Sequence, residues 1–291
     1  MKIGVVGSGA DMLSIFKFLH KYDHEYIVYF DDLLRPYGDK PASLVQAVIA
    51  DAIQVLRDRW CEQIILPPVW ELAFREQKNI MPLFQSYVMN YCFHYSLVGK
   101  IGLVGDWSDT QVAQPLFESF AQNYPLTDNQ KNTAKMQQPF ARRVKEVQMR
   151  KYFLTTLSYS DPLVNRVVKH DLRYFKDAGV DTLIPLNYGY FNYQNTIAKF
   201  CNYKKCRFHK LEKLEDCFVK SIVNVIPSKV EGSSVLKNEI SPLRSASVEM
   251  TGTKYSVTTL YTGQKELLER QKKIMRLLQR GKGMEVVWEK I

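Results

Sequence analysis

Short apolar runs alternate with segments of helical spacing at the start of the chain. The run from Lys2 to Gly7 predicts a buried strand that ends at a glycine turn, and Leu13 to Tyr22 has apolar residues at helical spacing. A second strand is predicted at Tyr26 to Phe30, a helix at Ala42 to Trp60 and a third strand at Gln63 to Leu66. This alternation predicts a parallel sheet with right-handed crossovers.

The opening motif occurs twice in the chain. Residues 100–105, KIGLVG, repeat residues 2–7, KIGVVG, with Leu103 in place of Val5. In the second copy a helix near 174–178 is predicted to lead into a strand at 181–185. We therefore predict an α/β fold of two similar three-layer lobes with parallel sheets, whose strand ends face a central cleft.

The last hundred residues are less regular. After Asn192 we predict a helix, then a strand at Ser221 to Ile226. A polar stretch from Pro227 to Lys254 follows, and a charged helix from Lys265 to Arg280 has an apolar face that is predicted to pack on a lobe.

Composition narrows the class of protein. Of the 291 residues 46% are apolar, which is enough for ordinary buried cores. Neither a membrane span nor a signal peptide is evident, so we expect a cytoplasmic protein. The net charge of +10 is spread along the chain and no standard nucleic-acid module is recognisable, so nucleic-acid binding is allowed by charge but not favoured.

The five cysteines are odd in number and scattered, which is typical of reduced thiols. Cys201, Cys206 and His209 lie close in sequence but lack a fourth ligand for zinc. We predict no metal site, and interpret this cluster as a solvated helix end.

Gly7 and Gly9 after a strand, with Asp31 and Asp32 after the next, imitate a dinucleotide fingerprint. Met12 stands where that fingerprint needs a small residue, so we give this interpretation little weight and predict no cofactor.

Several landmarks in order resemble the glutamate racemases of the aspartate/glutamate racemase family. They are Ile3 to Met12, Arg35-Pro36-Tyr37-Gly38-Asp39-Lys40, Gly99 to Asp106, Gly179 to Phe191 and Leu260-Tyr261-Thr262-Gly263. The resemblance implies that lobe one comprises residues 1–98 plus 211–291, including the C-terminal helix, and that lobe two comprises residues 99–210. It also makes a homodimer the default expectation.

The catalytic groups that the resemblance implies are replaced. Pro68 and Asn187 stand for the two cysteines that exchange the substrate α-proton, Gly7 for the acid that assists the first and Gly189 for the histidine beside the second. Proline and an amide cannot shuttle a proton near neutral pH. The chain is thus interpreted as a degenerate member of the family.

Some positions that bind the substrate in the family are kept. Ser8, Gly9, Tyr37 and Gly38 match positions near the substrate carboxylate, and Asn187 with Tyr188 would lie beside them, so a small carboxylate ligand is allowed. Alternatively, Ser8 and Gly9 only form the turn and Tyr37 only packs. Trp70, Tyr188 and Tyr190 would either fill the cleft or form a stacking pocket for a flatter ligand.

Four functions stay open at this point. The leading hypothesis is a racemase-like pseudoenzyme that acts as a binding, regulatory or assembly subunit. The main alternative is an active isomerase or lyase with altered catalytic residues, using Asp11, Asp106, Asn187 or Tyr188. A protein- or DNA-binding role that rests on net charge, and an NAD-dependent oxidoreductase, are less favoured.

Overall fold

The computed structural model of the protein describes residues 1–7, 9–31, 40–131, 141–146, 162–202, 206–225, 256–262 and 285–290. The polar stretch 227–254 and the charged helix predicted at 265–280 lie outside the described residues. None of the described helices is long and apolar enough to cross a membrane.

The described strands and helices alternate along most of the chain. The strands are β1 (Lys2–Gly7), β2 (Glu25–Asp31), β3 (Gln63–Ile65), β4 (Lys100–Gly105), β5 (Ala141–Glu146), β6 (Thr182–Pro185), β7 (Arg207–Phe208), β8 (Ser256–Thr262) and β9 (Glu285–Lys290). The α-helices are α1 (Gly9–Leu19), α2 (Ala42–Asp58), α3 (Pro68–Phe74), α4 (Leu83–Tyr87), α5 (Trp107–Asn123), α6 (Asp128–Lys131), α7 (Pro162–Asp177), α8 (Gln194–Asn202) and α9 (Leu211–Val225). A π-helix (Val88–Phe93) continues α4, and a 3₁₀-helix (Tyr188–Tyr193) follows β6.

Two parallel sheets contain all of these strands. The first has five strands in the order β3-β1-β2-β8-β9, and the second has four in the order β5-β4-β6-β7. Ile3 pairs with Tyr26 in the first sheet, and Ile101 pairs with Thr182 in the second. The first sheet therefore takes strands from both ends of the chain, while the lobe boundaries after residues 98 and 210 stay a prediction.

The two copies of the opening motif form β1 and β4, which lie inside their sheets. A Cβ on Gly4 would lie 2.9 Å from Leu56 Cδ1 of α2, and one on Gly102 would lie 2.6 Å from Phe175 Cδ1 of α7. The same glycine thus lets a helix approach the strand closely in each sheet. This confirms the prediction of two similar α/β units.

The strand predicted at Ser221 to Ile226 is wrong, because Ser221 to Val225 form the end of α9. Its β-branched residues suggested a strand, but the apolar spacing that extends back to Leu211 is helical. The buried residues on that face are Leu211, Leu214, Cys217, Phe218 and Ile222. Burial of one helical face outweighs local strand propensity here.

The turn before β6 fixes the segment that enters β4. Gly179 has a left-handed φ of +64°, and Asp181 follows it. The Asp181 carboxylate accepts the backbone N–H groups of Leu97 and Val98 at 2.9 and 2.7 Å, and the Ser96 hydroxyl at 2.9 Å. This turn therefore joins the second sheet to the chain that arrives from the first.

One apolar core runs through both sheets. It joins Ile3 and Val5 of β1 to Ile101 and Leu103 of β4, and it includes Phe218 of α9. A second cluster lies between the other face of the first sheet and α2. The carboxyl ends of β1, β3, β4 and β6 lie where open parallel sheets bind ligands.

Candidate functional site

The end of β1 is closed by a methionine. A Cβ at Gly7 would lie 2.4 Å from Met12 Cε, and the Met12 side chain is fully buried. An aspartate at residue 7 would therefore force Met12 to move. Met12 thus occupies the space at this strand end, and the interpretation of Gly7 as the replacement of an acid stays a prediction.

The end of β3 leads directly into α3. Pro67 precedes this helix and Pro68 is its first residue, a position that suits proline because the first N–H of a helix has no intrahelical acceptor. Val69 and Trp70 follow and are buried. The Trp70 Nε1 is also buried, with no hydrogen-bond partner among the described residues. Pro68 thus begins a packed helix and offers no titratable group.

The segment after β6 is held by two acids, one from the helix that follows β1 and one from the helix that follows β4. Asp11 of α1 accepts the Gly189 backbone N–H at Oδ1, at 2.8 Å. Asp109 of α5 accepts the Asn187 side-chain N–H at Oδ2, at 3.2 Å. Both carboxylates are buried, with 1% and 3% of their surface exposed. The Asn187 Oδ1 is buried without a hydrogen-bond partner in the described part of the chain.

Asp106 holds the same segment through a third hydrogen bond. It directly follows β4, is buried, and accepts the Tyr190 hydroxyl at Oδ1, at 3.0 Å. Three buried carboxylates, Asp11, Asp106 and Asp109, therefore each hold one residue between Asn187 and Tyr190.

Tyr188 lies fully buried beside acidic groups. Its hydroxyl has no hydrogen-bond partner among the described residues. Burial raises the Tyr188 pKa well above its usual value, and the carboxyls of Glu71 and Asp11 raise it further. Tyr188 is consequently a neutral phenol at physiological pH and cannot serve as a phenolate base.

Glu71 is a buried carboxyl in α3. Its two oxygens accept the backbone N–H groups of Phe84 and Gln85 at 2.7 and 2.8 Å, which caps the start of α4. Burial raises the Glu71 pKa to about 8, although these hydrogen bonds lower it. Desolvation dominates here because the carboxyl is removed from water.

The structure brings only part of the predicted site together. Helix α1 packs along the 3₁₀-helix and so connects the end of β1 at Gly7 with Asn187, Tyr188 and Gly189. Across this contact Lys17 Nζ donates to Asn192 Oδ1 at 2.9 Å. Gly9 begins α1. The predicted ligand-binding residues Ser8, Tyr37 and Gly38 lie outside the described residues, and their role stays a prediction.

The stacking pocket considered for Trp70, Tyr188 and Tyr190 is not present. All three rings are at most 1% exposed, and Trp70 belongs to a different apolar cluster from the two tyrosines. The rings fill space between elements, because large aromatic side chains gain most from complete burial.

Sequence reasoning missed Asp109 and Glu71. Asp109 could have been found from the repeat, since Asp11 lies four residues after Gly7 and Asp109 lies four residues after Gly105. The Cβ atoms built on these glycines would lie 3.7 and 3.2 Å from the Cβ atoms of the two acids. No comparable signal marks Glu71, whose partners lie thirteen and fourteen residues later.

The interpretation of the cysteine cluster as a solvated helix end is wrong. Cys201 and Cys206 are buried, and the Cys206 N–H donates to the Cys201 carbonyl at 3.2 Å. The His209 ring lies against Tyr91 and Tyr95, with centroids 6.1 and 5.7 Å away. Within the described ranges, no three His, Cys, Asp or Glu side chains converge to hold a metal ion.

Solved structures share this architecture over the whole chain. The glutamate racemase of Thermus thermophilus, solved with β-chloro-D-alanine, matches with a TM-score of 0.66 at 15% identity, covering 100% of this chain and 96% of that chain. The chain has the aspartate/glutamate racemase fold. Isoform RacE1 from Bacillus anthracis matches with a TM-score of 0.68 at 12% identity, covering 99% of this chain and 96% of that one.

The glutamate racemase of Francisella tularensis, solved with D-glutamate, matches this fold with a TM-score of 0.68 at 14% identity, covering 100% of this chain and 97% of that chain. The sequence matches no protein-family model and no curated protein. At this identity the racemase fold is shared, and activity has to be argued from the residues at the strand ends.

Proposed function

We propose that this protein is a racemase-like binding, regulatory or assembly subunit without cofactor-independent amino-acid racemase activity. The observation that carries the proposal is the segment from Asn187 to Tyr190. Three buried carboxylates hold it through hydrogen bonds from Asn187, Gly189 and Tyr190. In this protein those carboxylates support backbone and side chains of the chain itself.

Racemisation without a cofactor needs two groups that exchange protons on opposite faces of the α-carbon. Pro68 has no ionisable side chain, and the Asn187 amide does not titrate near neutral pH. Tyr188 stays protonated because burial raises its pKa. These three properties support a site that does not remove an α-proton.

Exchange of the α-proton tests this proposal. Purified protein in heavy water would be incubated with both enantiomers of glutamate and aspartate, and deuterium incorporation followed by proton NMR. The Thermus thermophilus glutamate racemase serves as the positive control. We expect no exchange above the protein-free background, and exchange that scales with protein concentration would overturn the proposal.

A second candidate is an isomerase or lyase of the same fold with altered catalytic residues. The observation that favours it is that two consecutive residues each bury a polar atom, Asn187 Oδ1 and the Tyr188 hydroxyl, with no hydrogen-bond partner among the described residues. Buried polar groups of this kind cost free energy unless a ligand completes them. Asn187→Ala should abolish any activity found in a substrate screen, and unchanged turnover would exclude this site.

Ligands and partners follow as proposals from the fold. Racemases from Francisella tularensis and Escherichia coli were solved with D-glutamate and L-glutamate, which supports a small carboxylate as the cleft ligand of this chain. We also propose a cytoplasmic homodimer with a protein partner. Light scattering of the purified protein tests the dimer, and a monomer at micromolar concentration would contradict it.

A further inference from the structure

A cavity lies beside the amino end of β3, the edge strand of the five-stranded sheet. Its volume is about 270 Å³, and it lies between α9 and the segment formed by α4 and the π-helix. Gln63, the first residue of β3, lines it, whereas the racemase-like site lies beyond the carboxyl ends of the strands. The cavity therefore opens at the amino end of β3, although its Cys217 lies near enough to Glu71 for that carboxyl to raise the pKa of the thiol.

The polar side chains around this cavity are uncommitted. They are Gln63, Ser86, Asn90, Lys220 and Ser221. Within the described part of the chain, none of these five side chains makes a hydrogen bond or an ion pair with another residue. Such a set can turn all of its donors towards a bound molecule, since no internal bond has to be broken.

The donors favour an anion. Lys220 contributes a positive charge, the two amides contribute N–H groups, and the two serines contribute hydroxyls. No carboxylate among the described residues lines the cavity. The Cys217 thiol lines it too, and burial raises its pKa to about 12, so this sulfur is neutral and forms an apolar surface.

The backbone at the cavity is also unusual. Asn90 lies in the π-helix from Val88 to Phe93, which widens the helix that α4 begins. Single π-helical turns are rare and occur frequently at functional sites. Here the π-helix and α9 provide the two walls of the cavity, and Asn90 and Lys220 face it from opposite elements.

We propose that this cavity binds a small organic oxyanion that also carries hydroxyl groups, with Lys220 as its charged contact. The volume is slightly below the ~300–1,000 Å³ of ordinary ligand pockets, which favours a small hydroxy acid or sugar-like phosphate over a nucleotide. Carboxylate and phosphate share the oxyanion chemistry that lysine and amide donors recognise. This cavity is a different site from the racemase-like one, which lies at the carboxyl ends of the strands.

Amide chemical shifts of the ¹⁵N-labelled full chain test the proposal. Malate, glycerol 3-phosphate and uncharged glycerol would be titrated separately. We expect one of the two anions to shift the amides of Ser86, Asn90, Lys220 and Ser221 with a dissociation constant of about 1 mM or tighter, and glycerol to have no effect. Malate binding identifies a carboxylate site, and glycerol 3-phosphate binding a phosphate site.

Charge variants supply the control. Lys220→Met should weaken binding of the anion at least about tenfold, whereas Lys169→Met, on the exposed surface of α7, removes the same charge and should leave binding unchanged. Asn90→Asp adds a negative charge at the cavity without removing packing, and should weaken binding as well.

Absence of shifts with both anions, or equal binding by wild type and Lys220→Met, would overturn the proposal. The result is separable from the proposed function, because α-proton exchange reports only on the carboxyl ends of the strands.

Discussion

At the scale of single residues, two acids in equivalent positions hold the same segment. Asp11 and Asp109 each lie four residues after the last glycine of a repeated motif, and they contact Gly189 and Asn187 respectively. A buried carboxylate is costly unless its oxygens are hydrogen-bonded. The two acids at equivalent positions of the repeat therefore both position the segment from Asn187 to Gly189.

Asp11→Ala should destabilise the protein by about 1–3 kcal/mol, because the buried Gly189 N–H loses its acceptor. Asp11→Asn keeps an oxygen at this position and should cost less. Urea unfolding measures both, and Asp51→Ala on the exposed surface of α2 serves as the matched control. A cost for Asp11→Ala no larger than for Asp51→Ala would contradict the positioning role.

Glu71 makes stability depend on pH. The folded chain loses this proton near pH 8, whereas the carboxyl of an unfolded chain loses it near 4.5. Between these values the folded state binds more protons, so its stability falls as pH rises. Relative to Glu71→Gln, the wild type should lose on the order of a few kcal/mol across this window.

Denaturant unfolding of both proteins at about pH 5.5 and about pH 8.5 measures this difference. His24 and His209, whose pKa values burial lowers, are the same in both proteins and cancel. A constant difference in the free energy of unfolding between the two pH values would show that Glu71 is ionised in the folded state.

At the scale of elements, the turn from Gly179 to Asp181, which begins the landmark Gly179 to Phe191, braces the chain that enters β4. Asp181→Ala removes the acceptor of three hydrogen bonds to residues 96–98 and should cost about 2–3 kcal/mol. Thermal or urea unfolding measures the loss. Asp177→Ala, at the exposed end of α7, is the control, and equal stability of the two variants would argue against this bracing role.

The elements that were predicted correctly have a clear apolar pattern, either a continuous run or a helical repeat. β1 and β4 have continuous apolar runs, and α2 has a helical apolar face that ends within two residues of the predicted limit. The end of α9 was mistaken for a strand because Ile222, Val223 and Val225 favour strands locally. Only the buried face that begins at Leu211 reveals the helix.

Other strands had no such signal in the sequence. β5 (ARRVKE) and β9 (EVVWEK) mix charged and apolar residues without regular alternation, and β7 spans two residues. Their place is set by pairing with β4, β8 and β6, which are distant in sequence. Tertiary pairing of this kind outweighs local propensity.

At the scale of the whole molecule, a continuous core and the contact between α1 and the 3₁₀-helix join the two sheets. The resemblance in sequence located the segment at Asn187 and Gly189, and correctly predicted the fold. It could not predict that Asp11 and Asp109 would hold this segment, because their partners lie 178 and 78 residues away.

We infer that the segment from Asn187 to Tyr190 is a fixed joint between the two sheets and not an open substrate loop. Hydrogen exchange of the Gly189 amide tests it most directly, because this N–H donates to Asp11 across the joint. We predict that it exchanges only through opening close to global unfolding, as core amides do. Exchange through local opening at nearly no free-energy cost, at the rate of a mobile loop, would contradict the account.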